Sequence, residues 1–184
     1  MRQVEIRLAG EGGQGLILAG IILAEAACVH DGKNAVQTQS YGPESRGGAS
    51  KAEVIISDSE IDYPKVTRPD IMLVMSQMAY DKYIKDLKQG GVLIYDSSIV
   101  KVQPSPDHRT YAVPITATAR ERVGREIVAN IVALGALVKV CGVVSEGAIR
   151  EAVANRVPRG TEGLNLRALD AGMEVVGELL DAPR

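Results

Sequence analysis

The 184-residue chain contains no Trp and no Phe, and six Tyr are its whole aromatic content. Lys plus Arg (21) against Asp plus Glu (23) leaves a net charge of -2, and no basic block stands out. Nucleic acid is therefore not expected as a partner: backbone binding needs a positive stripe, and reading single strands needs rings to stack on. Cysteine is scarcer still. Cys28 and Cys141 stand far apart, each inside an apolar helical run, which reads as two buried thiols in a reducing compartment and not as a disulfide or metal site. No segment approaches the roughly 20 uninterrupted apolar residues of a membrane span. The N-terminus opens at once into a strand pattern, where a secretory leader would place a charged and then an apolar region. These absences predict a soluble cytoplasmic protein with neither nucleic acid nor membrane as partner. Residues 1–184 read as a single domain, long enough to bury a proper core.

What is present begins with Gly10-Glu11-Gly12-Gly13-Gln14-Gly15. Val4 to Ala9 before it alternates as a strand does, and Leu16 to Ala24 after it is an apolar run of helical length. Strand, glycine turn and helix make the first half of a βαβ unit. Gly10, Gly12, Gly13 and Gly15 let the backbone turn tightly beside a helix N-terminus, whose uncovered N–H groups attract an anion. The turn fits G-x-G-x-x-G, a dinucleotide fingerprint only when an acidic residue closes the second strand about 20 residues on. The second strand, Asn34 to Ser40, ends in Gln39 and Ser40, so a ribose would find no carboxylate there.

The helix after the turn runs to about Val29 and is apolar on nearly every face until Glu25. Tyr41-Gly42-Pro43-Glu44-Ser45-Arg46-Gly47-Gly48-Ala49-Ser50 is a loop by composition. It is expected at the carboxyl end of its strand, on the same edge as the glycine turn. Lys51 to Ser57 reads as a strand with one exposed face, Asp70 to Met75 and Val92 to Asp96 as central strands, and Arg109 to Pro114 as the last strand. Gln77 to Leu87 reads as a helix. From Arg125 to Val144 a second long helix is apolar on more than one face, interrupted by Asn130 and Lys139. One small domain rarely hides two such helices, so a partner surface is expected, with a homodimer when the chain is isolated. Ser145 caps a short helix to about Asn155, and Leu164 to Leu180 is amphipathic. The alternation predicts the α/β class: a three-layer α/β/α fold on a mostly parallel, Rossmann-like sheet.

Arg46 is the leading candidate for a ligand contact. Between Pro43 and Gly47-Gly48, its guanidinium could grip a carboxylate or phosphate in two-pronged fashion, or simply pair with Glu44 or with an acid of a partner chain. Gln14 could offer its amide to a ligand or close the turn. Asn130, polar within an apolar helix, is expected to hydrogen-bond a neighbouring loop, a ligand contact being the alternative. His30 and His108 read as solvated. No nucleophile sits with a base, and no paired carboxylates share a helix. The residues by themselves therefore show no complete catalytic apparatus.

Three stretches together carry a resemblance: Gly10 to Gly15, the loop Gln39-Ser40-Tyr41-Gly42-Pro43-Glu44-Ser45-Arg46-Gly47-Gly48, and Asn130-Ile131-Val132-Ala133-Leu134-Gly135. The chain resembles the gamma subunit of the 2-oxoacid:ferredoxin oxidoreductases, most of all the 2-oxoglutarate type. In that type the loop reads Ser-Tyr-Gly-Pro-Glu and then Arg-Gly-Gly, as residues 40–48 do. The similarity runs through nearly the whole chain. It implies a division of labour in which the complete enzyme decarboxylates a 2-oxoacid oxidatively, joins the acyl group to coenzyme A and reduces ferredoxin. Thiamine diphosphate with Mg and the iron–sulfur clusters would sit in the alpha, beta and ferredoxin-like delta subunits, and this chain would bind none of them alone. By that resemblance the glycine turn, Tyr41, Gly42, Pro43, Glu44, Arg46, Gly47, Gly48 and Asn130 would face the active site or the partner subunits, helping to accommodate coenzyme A or complete the substrate pocket. Two other readings stand beside it: an independent dehydrogenase holding NADP on the glycine turn and Arg46, and a purely structural scaffold.

Overall fold

A computed structural model describes residues 3–40 and 48–182. Among them, six strands form one sheet in the order β2-β3-β1-β4-β5-β6: β1 Val4–Glu11, β2 Asn34–Ser40, β3 Ala49–Ser57, β4 Ile71–Val74, β5 Val92–Asp96 and β6 Arg109–Val113. β1 pairs with β4, β4 with β5 and β5 with β6 in parallel, whereas β3 pairs antiparallel with both β1 and β2. Only β3 is reversed, so the expected mostly parallel sheet is present. One feature differs from expectation. The crossover that leaves the glycine turn does not return beside β1, because β3 takes that place and β2 lies one position further out.

Alternation along β1 sorts its side chains between two layers. Ile6 and Leu8 face a large core with Ala52, Val54 and Ile56 of β3, and Ala9 faces a smaller one with Met72, Val74 and Leu93. The large core is covered by α1 Leu16–Glu25, the short α3 Ile115–Thr118, α4 Ala129–Cys141, α5 Glu146–Arg156 and α6 Glu162–Asp181; α2 Gln77–Tyr83 covers the smaller. That is the three-layer α/β/α arrangement, thick on one side. Among the described residues no helix is long and apolar enough to cross a membrane.

Several local expectations change. β3 is covered on both faces, with only Lys51 half-exposed. The polar residues that made it look half-solvated are ion-paired inside: Arg7, 2% exposed, donates from Nε to Glu53 Oε1 at 2.8 Å and from Nη1 to Asp86, with its guanidinium 5.3 Å from the Tyr83 ring centre. The long late helix begins only at Ala129, after a 3₁₀ turn over Glu126–Val128, and stops at Gly142, whose φ of 59° suits glycine. Every residue from Ala129 to Val138 is buried by this chain alone. From Ala129 to Val138, α4 therefore needs no partner surface. The fit depends on two glycines where α4 crosses α6. A Cβ on Gly135 would lie 2.2 Å from the Leu169 carbonyl oxygen, and one on Gly172 would lie 2.1 Å from that of Val132. The helical segment Ile115 to Val123, α3 continued by a π-helical turn, was not anticipated from the sequence pattern. Ser145 does cap α5, accepting from the Ala148 N–H at 3.1 Å.

Candidate functional site

β1 leads into α1 on one face of the sheet and β4 leads into α2 on the other. The crevice between their carboxyl ends is the switch point at which open α/β sheets take ligands. Here Gln14 spans it. Its Oε1 accepts from the Glu11 N–H at 2.8 Å, and its Nε2 donates to the Met75 carbonyl at 2.8 Å. The side chain lies so close over β1 that a Cβ on Gly10 would come within 2.2 Å of Oε1. Of its two expected roles, Gln14 performs the structural one. β3 separates β2 from β1, so the dinucleotide geometry is not reproduced.

Asn130 reaches the same place from α4. Its Nδ2 donates to the Gly15 carbonyl at 3.1 Å, and a Cβ on Gly15, whose φ is 75°, would lie 2.6 Å from that nitrogen. The expected bond from Asn130 to a neighbouring loop is thus the observed one. Gly13 also has a positive φ, 96°. Ser40 and Gly48 lie at the same edge: Ser40 and Ala9 both register with Lys51, and the Gly12 N–H donates to the Gly48 carbonyl at 3.4 Å. Tyr41, Gly42, Pro43, Glu44, Arg46 and Gly47 lie outside the described residues.

Two cavities open where these elements meet. One, of about 320 Å³, has apolar walls from Leu18, Val128, Val157, Pro158 and Leu164, with Asn130, Thr161 and Asn165 supplying polar atoms. The other, of about 310 Å³, is lined by Met75, Thr116, Glu126 and Ala129. Gly13, Gln14 and Ile127 border both. α1 starts at Gly15 without a side-chain cap and without an acidic residue in its first turn, so its N-terminal partial charge is not neutralised there.

Three contributors were not singled out from sequence. Asn165, 7% exposed, donates from Nδ2 to the Thr161 carbonyl at 3.0 Å; a polar residue on the buried stripe of α6 was the available signal. Thr116 is set by the fully buried Asp96, whose Oδ2 accepts the Thr116 N–H at 3.0 Å while Oδ1 accepts the Ser98 N–H at 3.0 Å. Ile127 gave no signal, because its neighbours suggested a buried helix.

The cavity walls hold no cysteine or histidine, and their acidic side chain, Glu126, accepts from Arg120 Nη2 at 2.7 Å. The arrangement can bind and position; it does not pair a nucleophile with a base. Nor are the thiols both buried as expected. Cys28 is exposed, whereas Cys141 is half-buried with its thiol pushed up to about 12 by burial. His30 is not solvated either, since its Nε2 is buried without a hydrogen-bond partner, 3.9 Å from Glu25 Oε1. Among the described residues no three His, Cys, Asp or Glu side chains gather closely enough to hold a metal ion.

Residues 5–175 match the family described as pyruvate ferredoxin/flavodoxin oxidoreductase. The 2-oxoglutarate synthase subunit KorC of Methanocaldococcus jannaschii is 54% identical over 177 residues, covering 95% of each chain. Among solved structures, the gamma subunit of a keto/oxoacid ferredoxin oxidoreductase from Geobacter sulfurreducens is 54% identical with a TM-score of 0.86, over 95% of this chain and 99% of that one. The 2-oxoglutarate:ferredoxin oxidoreductase of Magnetococcus marinus, solved with 2-oxoglutarate, coenzyme A and succinyl-CoA bound, is 26% identical with a TM-score of 0.86. That match covers 99% of this chain but 32% of the longer one, so there the same fold is one part of a larger polypeptide. Matched along nearly its whole length, the chain belongs to the pyruvate ferredoxin/flavodoxin oxidoreductase family, as a gamma-type subunit of a 2-oxoacid:ferredoxin oxidoreductase.

Proposed function

We propose that this chain is the gamma subunit of a cytoplasmic 2-oxoglutarate:ferredoxin oxidoreductase, which converts 2-oxoglutarate and coenzyme A to the acyl-CoA and carbon dioxide while reducing ferredoxin. Alpha, beta and delta subunits carry thiamine diphosphate, Mg and the iron–sulfur clusters, and supply the carbanion chemistry and the electron path. This chain supplies shape and polarity. The observation that carries the reading is the convergence at one sheet edge of the glycine turn, Asn130 and the ends of the 41–47 loop around cavities without acid–base machinery. Such an edge completes a site whose reacting groups belong to another subunit. The uncapped start of α1 favours an anionic group nearby, and Arg46 supplies the two-pronged grip on a carboxylate of the 2-oxoacid or a phosphate of coenzyme A.

The test is to purify the tagged chain from its own cells and assay the isolate for thiamine, iron and ferredoxin reduction dependent on both 2-oxoglutarate and coenzyme A. Larger subunits with both cofactors and that activity support the reading; recovery of the chain alone and inactive refutes it. Within the complex, Arg46→Ala is expected to lower turnover or raise the KM for coenzyme A or 2-oxoglutarate while the subunits stay together. An unchanged steady-state profile removes the role given to Arg46 and leaves a scaffold.

A further inference from the structure

Ile127 is 85% exposed, the most exposed of the large apolar side chains among the described residues, and it stands between the two cavities at the glycine turn. Its exposure is built in. The 3₁₀ turn Glu126–Val128 sends Val128 inward, 4% exposed, and Ile127 outward. Ahead of it Gly124, with a φ of 81°, ends the preceding helix, and the adjacent Glu126 is held by Arg120, Nε to Oε2 at 3.2 Å and Nη2 to Oε2 at 2.7 Å. The ion pair offsets the Glu126 charge beside Ile127. Beside it, the walls of Leu18, Val157, Pro158 and Leu164 leave an apolar recess of about 320 Å³. A protruding apolar knob next to an apolar hole, on a turn fixed before binding, is the geometry of an interface anchor with its receiving pocket.

We propose that Ile127 is the anchor of the interface with the catalytic subunits: it inserts among apolar side chains of the partner, and a partner apolar side chain enters the recess walled by Leu18, Val157 and Leu164. This rests on the reading of the chain as a gamma subunit. The occupant is argued from the longer relative, in which the matched fold is 32% of one polypeptide and so is covalently joined to the remainder of that chain.

The test compares wild type, Ile127→Asp and Ile127→Leu for assembly with the other subunits, by titration and by gel filtration of the complex. Because Ile127 is exposed, Ile127→Asp is expected to melt with wild type as an isolated chain. Its affinity for the catalytic subunits is expected to fall at least about tenfold, the loss of a central apolar contact, while Ile127→Leu stays within about threefold. Assembly of Ile127→Asp with wild-type affinity overturns the proposal while the subunit reading stands. So does a change confined to the KM for coenzyme A, which would make the recess a ligand pocket, or a change confined to self-association, which would make it a contact between copies. If wild type itself does not bind the other subunits, the subunit reading fails and this inference falls with it.

Discussion

Replacing Gly172 by Ala tests the account of how α4 is hidden. The new methyl would lie 2.1 Å from the Val132 carbonyl oxygen and 3.0 Å from the Ala136 nitrogen, both backbone atoms that no rotamer change can remove. α4 and α6 must then separate by about an ångström. Overpacking of a well-filled core costs about 1–3 kcal/mol, and contact with rigid backbone places this case near the top of that range. Against it stands the gain of replacing a mid-helix glycine by alanine, about 1 kcal/mol. The net expectation is a loss of about 2 kcal/mol, read from the urea midpoint at unchanged slope, or a fall in Tm of roughly 4–8 °C for a chain of this size. Gly177, five residues further along the same helix, has nothing within 4 Å of its added Cβ. Gly177→Ala should therefore show the propensity gain alone, about 1 kcal/mol of stabilisation. Opposite signs for two identical substitutions on one helix isolate the crossing. Gly172→Ala as stable as Gly177→Ala would refute the close approach and reopen α4 as a surface for a partner.

Three further outcomes follow from individual polar groups. Gln14→Leu removes the two bonds that bridge β1 and β4, and is expected to destabilise by about 1–3 kcal/mol in urea unfolding without creating NADPH binding, checked by fluorescence titration. Arg7→Met leaves the nearly buried Glu53 with Lys51 as its remaining cationic partner, so a loss of about 3 kcal/mol is expected, the low end for breaking a buried pair; a loss below 1 kcal/mol would show that Lys51 suffices. Burial pushes the Cys141 thiol up to about 12, so in the folded state it keeps its proton where the unfolded chain, titrating near about 8.5, has lost it. Stability from this group is thus full below about pH 8.5 and falls by about 1.4 kcal/mol per unit as pH rises toward the folded value. Subtracting the pH dependence of Cys141→Ala reveals this slope, and thiol labelling at pH 8 should reach exposed Cys28 first.

Legibility followed periodicity and turn chemistry. β4 and β5 were readable because parallel strands in a sheet centre are continuous apolar runs with glycine or polar stops, β1 because its residues alternate, and the Ser145 cap because its donor lies three residues away. The glycine turn was readable as a turn, and Asn130 as a residue tied to a loop, since a carboxamide in an apolar helix must find a partner. Ile115 to Val123 was missed because its nine residues lie partly in a π-helical turn and carry charge at Arg120, Glu121 and Arg122, blurring the helical period. Cys28 was misread for a related reason: the helix continues as a π-helical turn from Ala26 to His30, which rotates it out of the buried face.

The misreading of β3 has a different origin and bears on the site. Local pattern cannot tell a solvated Glu53 from one that meets Arg7 across a strand pair, because the partners stand 46 residues apart. Nor can it tell that β3 runs backward, since direction is set by where the connection ends. That reversal gives the edge its composition. A βαβ unit returning directly beside β1 would bring the end of its own second strand, and any ribose-binding acid there, next to the glycine turn. Inserting β3 antiparallel brings instead the beginning of β3, so Gly48 and Ser50 flank the turn, with Gly12 donating to Gly48 and Ser50 Oγ donating to the Gly10 carbonyl. Ser40 and Gly48 thereby both lie at the edge that carries Gly12, and Gln14 spans the crevice. The same glycine spacing that serves a dinucleotide elsewhere becomes, under this topology, a turn flanked by the beginning of an antiparallel strand.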